Sequence, residues 1–137
     1  MSVRGAETLN TARASRGNAV VEFALVLPLL LLVLFGITEF GRMLMTTNML
    51  NTASREGARL AAVSPISDSL SVQARVNEVL AAGKIAPKAI RVIYNAGAHS
   101  VTVQVTSDFQ VLSRSVLPSS MRGTILLTGQ TVFRYEG

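Results

Sequence analysis

Arg16-Gly17-Asn18-Ala19-Val20-Val21-Glu22-Phe23-Ala24-Leu25-Val26-Leu27-Pro28-Leu29-Leu30-Leu31-Leu32-Val33-Leu34-Phe35-Gly36-Ile37-Thr38-Glu39-Phe40-Gly41-Arg42 is basic at its mouth, then almost unbrokenly apolar. Between Ala19 and Thr38 the only ionisable side chain is Glu22. About 20 apolar residues in a helix, at about 1.5 Å rise each, match the ~30 Å hydrocarbon core of a bilayer. Leucine dominates the run and is a strong helix former. A signal-peptide apolar region runs only about 7–15 residues and closes on a small-residue cleavage site. This one is longer and ends in no such site. A buried core helix is disfavoured too, because a chain of 137 residues can hardly surround it. The expectation is a membrane-spanning helix over about residues 19–38.

Pro28 lacks the N–H that would reach the carbonyl of Ala24, so a local bend is expected there. Orientation follows from charge. Arg4, Arg13 and Arg16 precede the run, whereas Glu39 and Arg42 after it nearly cancel. The positive-inside rule then puts the N-terminus in the cytoplasm and the C-terminal part outside.

Glu22 has two readings. An acidic side chain at the centre of a spanning helix costs on the order of 2.5–3.5 kcal/mol, and less near an end. In the first reading Glu22 lies at the interface and snorkels to water. In the second the chain is cut after Gly17. The new ammonium of Asn18 and the Glu22 carboxylate then lie on adjacent helix turns, or pair between subunits. An unpaired charge is costly in hydrocarbon, so such a pair sets the register of stacked helices.

Outward from this segment, residues 1–15 are small, polar and basic without apolar periodicity, and read as a disordered leader. The helix is expected to continue to about Val63, because Ser64-Pro65 is the first break and proline disfavours helix just before it. From Asn18 that is roughly 70 Å. Its outer half is amphipathic: Phe40, Met43, Leu44, Leu50 and Leu60 alternate with Glu39, Arg42, Asn48, Asn51, Arg55, Glu56 and Arg59. Ala53, Gly57 and Ala61 fall four apart, as do Ser54, Ala58 and Ala62, and small residues at that spacing admit a close neighbour. That neighbour is either the chain's own C-terminal domain or another subunit.

Residues 64–67 read as a turn. Asp68 or Ser69 caps a second helix over about 69–82, with Val72, Val76, Val79 and Leu80 on one stripe and Gly83 as its stop. Ile90–Tyr94 is a short β-branched strand, followed by an Asn95-Ala96-Gly97-Ala98 turn. Val101, Val103 and Val105 alternate with Thr102, Gln104 and Thr106, a half-buried strand that either extends from Phe109 towards Leu117 or crosses over as a loop. Pro118-Ser119-Ser120 breaks it. Thr124–Tyr135 is a last strand, with Ile125, Leu127, Val132 and Phe133 apolar and Gly129 suggesting a bulge. The fold class is α+β: a long N-terminal helix running into a small domain with a second helix and a three- to four-stranded antiparallel sheet.

The chemistry of most site classes is missing. There is no cysteine and a single histidine, His99, in the expected hairpin turn. A disulfide framework, a thiolate nucleophile and the usual zinc site are thereby excluded. Asp68, Glu78, Asp108 and Glu136 lack metal-loop spacing, and neither a phosphate loop nor a nucleophile elbow occurs. No catalytic residue, cofactor or metal is expected, and the chain is not read as an enzyme. The net charge is +5. Residues 1–17 contribute three arginines against Glu7, so the remainder carries +3. That basicity is scattered singly with almost no aromatic interleaving, which gives nucleic-acid binding little support.

Gly17, then four residues, Glu22 and Phe23 before an apolar helix and behind arginines resembles the class III prepilin signature. The wider stretch resembles the TadE family of pseudopilins of tight-adherence pili. The likeness rests on Arg16-Gly17, Glu22-Phe23-Ala24, Leu27-Pro28, Phe35 to Arg42, and Ala53-Ser54-Arg55-Glu56-Gly57-Ala58-Arg59. It covers about residues 16–62, and beyond them it is one of pilin-like architecture only. It implies a leader of residues 1–17 removed between Gly17 and Asn18 by a membrane prepilin peptidase. It further implies a helix of residues 18–63 and a small α+β periplasmic domain of residues 64–137. The partners implied are that peptidase, other pilins or pseudopilins, the assembly platform and the bacterial inner membrane. The function implied is pilus assembly or surface attachment, with Glu22 and Phe23 in assembly and Ala53, Gly57 and Ala61 as a possible packing face. Asn18 departs from the phenylalanine common at the mature end of ordinary type IV pilins, which leaves N-methylation open. The domain after Ser64 argues against a major pilin of the helix-only kind. Two alternatives stand beside this. One is an uncut, signal-anchored protein with a periplasmic binding or sensing domain. The other is a secreted soluble domain behind an atypical signal peptide.

Overall fold

The structure, a computed structural model, describes residues 4–65, 68–111 and 124–135, with side chains from residue 18 onward. Its elements in order are helix α1 (Arg4–Val63), helix α2 (Ser69–Ala82), strand β1 (Ala89–Asn95), a single 3-10 turn (Ala96–Ala98), β2 (Ser100–Gln110) and β3 (Thr124–Arg134). The α+β class expected from the sequence is the class found. The chain divides into two units, Met1–Thr38 and Glu39–Gly137. The division falls where the apolar run ends.

In the first unit the polypeptide is helix from Arg4 through Thr38, uninterrupted at Pro28. Regular structure in residues 4–15 differs from the expected disordered leader. Alanine, leucine, arginine and glutamate are good helix formers, and no proline occurs before Pro28 to stop a helix from extending backwards. The described apolar side chains of this unit, from Ala19 on, are exposed except for a half-buried Leu27: Phe23 is 61% exposed and Leu32 68%. Thr38 donates its hydroxyl hydrogen to the Leu34 carbonyl at 2.9 Å.

The second unit is a helix-on-sheet layer. The sheet has three antiparallel strands in the order β1-β2-β3. The valine alternation in β2 puts Val101, Val103 and Val105 on the inner face, all fully buried, and Ser107 and Phe109 continue that face. The stripe of α2 supplies Val72, Val76 and Leu80, also fully buried, with Val79 half-buried beside them. From α1 come Leu50, Ala53, Ala58 and Ala61. Asp68 caps α2 as expected, its side chain accepting from the Ser71 N–H at 3.3 Å. Gly83 ends the helix, with Met49 lying close above it. The left-handed residue is the next one, Lys84, at φ 55°. Its N–H donates to the Ala81 carbonyl and that of Ile85 to the Leu80 carbonyl, a helix terminus where glycine is the usual occupant of the left-handed position.

Two readings change. Gly129 is not a bulge: β2 and β3 pair residue for residue from Ser100↔Arg134 to Gln110↔Thr124, with Val105 opposite Gly129. A Cβ on Gly129 would meet the Leu50 carbonyl carbon and oxygen at 2.5 Å, so the glycine is there because the α1 backbone lies against the strand. The apolar positions of β3 are also less covered than their pattern suggests. Leu127 packs on the core, but Val132, opposite Thr102 on the outer face, is 58% exposed, and Ile125 and Phe133, towards the two ends of an edge strand, are about two-fifths exposed. The break at Pro118-Ser119-Ser120, any continuation beyond residue 111 and Glu136 lie outside the described residues.

Candidate functional site

Two places carry residues of functional interest. The first is the start of the apolar helix. Asn18 and Glu22 are four residues apart on continuous helix, one turn of about 6 Å along the same face. Glu22 and Phe23 are both exposed, and Glu22 makes no ion pair among the described residues. The peptide bond between Gly17 and Asn18 lies inside α1.

The second is the outer part of α1. Ala53, Gly57 and Ala61 are buried, facing inward on the second unit's own core. A Cβ on Gly57 would stand 2.6 Å from Val76 Cγ2 and 3.3 Å from Val103 Cγ1, so α2 and β2 already occupy the approach that small residues allow. Of the two neighbours the spacing left open, the one seen here is the chain's own domain. The parallel row behaves alike at Ser54 and Ala58, both buried. The Ser54 hydroxyl donates to the Asn51 carbonyl at 2.9 Å and shares a 2.8 Å hydrogen bond with Thr131 Oγ1, tying α1 to β3.

Glu39 and Arg42 form the expected pair at the end of the apolar run, Nη1 to Oε2 at 3.0 Å. Sequence reasoning missed what lies beyond. The Arg42 guanidinium also sits 5.3 Å from the centre of the Phe109 ring. An open cavity of about 240 Å³ is lined there by Arg42 and Thr46 of α1, Lys84 of the α2–β1 turn, and Asp108, Phe109 and Gln110 of β2. Lys88 Nζ holds Asp108 Oδ1 at 3.0 Å. The sequence offers no signal for this grouping, because its members are tens of positions apart.

Elsewhere the chemistry is structural. Arg75 bridges Glu78 at 2.8 Å and Glu56 at 3.6 Å, and the Glu78 hydrogen bond leads in raising its already high pKa. Burial pushes the Tyr94 phenol up, helped by Asp68 and Tyr135, and its hydroxyl is buried without a hydrogen-bond partner among the described residues. His99 is exposed in the hairpin turn at φ 45°, with its ring edge-on to Tyr135. Among the described residues no three His, Cys, Asp or Glu side chains gather as a metal ion would need.

One helix among the described residues, Asn18–Val63, is long and apolar enough to cross a membrane, and none of its most apolar window is covered by the rest of the chain. No curated protein and no solved structure matches the chain. The family match covers about a third of the chain, from Gly17 past Glu22 and the apolar run to the outer turns of α1, and omits α2 and the sheet. Over residues 17–59 the chain matches the model of the TadE-like protein family.

Proposed function

We propose that the chain is a minor pilin or pseudopilin of a tight-adherence pilus system, with a structural rather than a catalytic role. The observation that carries this is the TadE-like match, which begins at Gly17 and takes in Glu22 at the head of an apolar helix. In this reading α1 crosses the inner membrane with its N-terminus in the cytoplasm. A prepilin peptidase cuts after Gly17. That bond is helical here, so cutting requires local unwinding, which glycine favours by its low helix propensity. The freed ammonium of Asn18 then offers a partner, within the chain or in a neighbouring subunit, to a Glu22 carboxylate that makes no ion pair among the described residues. The domain beyond Glu39 stands outside the membrane and joins pilus assembly or attachment through other pilins and the assembly platform.

The test is the intact mass of the membrane-extracted protein, with and without a co-expressed prepilin peptidase. A peptidase-dependent loss of residues 1–17, abolished by Gly17→Ser, is expected. A full-length mass beside an active peptidase overturns the proposal in favour of an uncut, signal-anchored protein.

A further inference from the structure

We infer that the cavity between Arg42, Lys84 and Gln110 is a binding site for the phosphate of an anionic phospholipid headgroup. The inference rests on the reading that α1 crosses a membrane. Arg42 follows the last residue of the apolar run, Thr38, by four positions, about 6 Å of helix rise. The headgroup layer on each side of a ~30 Å hydrocarbon core is about 5–8 Å thick, so Arg42 falls at headgroup level.

The chemistry of the cavity fits that level. Two cations, Arg42 and Lys84, and one carboxylate, Asp108, line it; Glu39 and Lys88, the salt-bridge partners of Arg42 and Asp108, add one charge of each sign, so the described group keeps one positive charge in excess. Both carboxylates are already engaged, Glu39 by Arg42 and Asp108 by Lys88. Lys84 has no acidic partner among the described residues. Arg42 gives one nitrogen to Glu39, which leaves most of its five N–H donors for an incoming oxyanion, and Phe109 supports the guanidinium plane. Gln110 adds a polar side chain at the rim. At about 240 Å³ the space is several times a water's ~30 Å³ share of the liquid, enough for a phosphate group with its shell.

A second observation comes from the backbone. Lys84 holds a left-handed conformation, φ 55°, at the position after a helix where glycine is the usual residue. A charged side chain kept in a conformation unfavourable to it is the kind of local strain that accompanies binding sites. The helix terminus alone has no need of a lysine.

The experiment uses the full-length protein in two steps. Flotation with vesicles of phosphatidylglycerol and phosphatidylethanolamine first measures membrane association. Native mass spectrometry then counts phosphatidylglycerol retained on the detergent-extracted protein, for wild type, Arg42→Gln, Arg42→Lys and Lys84→Gly. Lys84→Gly relieves the left-handed backbone while removing the charge, so a loss of lipid cannot be laid to misfolding. All variants are expected to float. Lys84→Gly and Arg42→Gln are expected to bind phosphatidylglycerol at least tenfold more weakly, with Arg42→Lys in between. Inorganic phosphate at the same concentration is expected to leave the lipid in place. Equal lipid retention by wild type, Arg42→Gln and Lys84→Gly overturns the proposal, with the lipid held only along the apolar helix. Displacement by inorganic phosphate overturns the lipid source. A wild-type protein that fails to float refutes the spanning helix, and the headgroup site with it.

Discussion

Gly129 and Leu50 touch backbone to backbone: an added Cβ on the glycine would lie 2.5 Å from the carbonyl carbon and oxygen of Leu50 and 2.8 Å from the amide nitrogen of Asn51. Neither neighbour is a side-chain tip that can swing away. This contact fixes how near α1 comes to the edge strand of the sheet.

Gly129→Ala is therefore expected to lower stability by about 1–3 kcal/mol, the usual cost of overpacking, or more if the helix lifts. Gly57→Ala meets side-chain methyl groups instead, Val76 at 2.6 Å and Val103 at 3.3 Å, which can yield where a backbone cannot. It should cost less than Gly129→Ala. Thermal unfolding of both variants followed by circular dichroism ranks them, and an inverted order would show that the α2 side is the stiffer one.

Ser54 and Thr131 make the polar counterpart of that contact, at 2.8 Å. Ser54 is fully buried. Ser54→Ala is expected to cost about 1 kcal/mol, since its other hydrogen bond only returns to the helix's own Asn51 carbonyl. A double-mutant cycle with Thr131→Val should show positive coupling of similar size, and additive effects would mean that the hydroxyls do not hold helix to strand.

Tyr94 gives a pH signature. Burial, with Asp68 and Tyr135 adding to it, raises the folded pKa of its phenol above the ordinary value of about 10. The unfolded chain then loses this proton first as pH rises. The associated stability is fully present below about pH 10 and is lost as pH climbs through the folded pKa. Tyr94 should ionise above the ordinary phenol range in an ultraviolet titration of the folded protein. Tyr94→Phe should remove that late step, flatten the alkaline fall in stability and cost little at neutral pH, because the hydroxyl has no hydrogen bond to lose among the described residues.

Glu22→Gln separates processing from assembly. It leaves Gly17 and the apolar helix intact, so peptidase-dependent shortening should persist in the mass spectrum. Co-purification with other pilins should drop, because the carboxylate that would meet an ammonium is gone. Undiminished co-purification would reduce Glu22 to an interface residue.

What the sequence shows and hides divides along local and distant causes. Asp68 with Val72, Val76 and Leu80 announces α2 through capping and 3.6-residue spacing, and Val101, Val103 and Val105 announce β2 through alternation. Gly17 and Glu22 are legible because the spacing itself is the motif. Gly129 misleads, since its partner Leu50 is 79 positions away and a glycine in a strand reads first as a bulge. The reach of Arg42 to Phe109, and its meeting with Lys84, need the folded layer to exist at all.

Four threonines on α1 have a consequence for whatever surrounds it. Thr38, Thr46, Thr47 and Thr52 each return their hydroxyl to the carbonyl four residues back, at 2.9 to 3.0 Å. Their donors are closed off inside the helix, as such side chains do when they turn back on their own backbone. What they offer outward is a methyl group. To a lipid tail or an approaching helix, these positions behave as valines, and the oily character of α1 persists past the point where its composition turns polar.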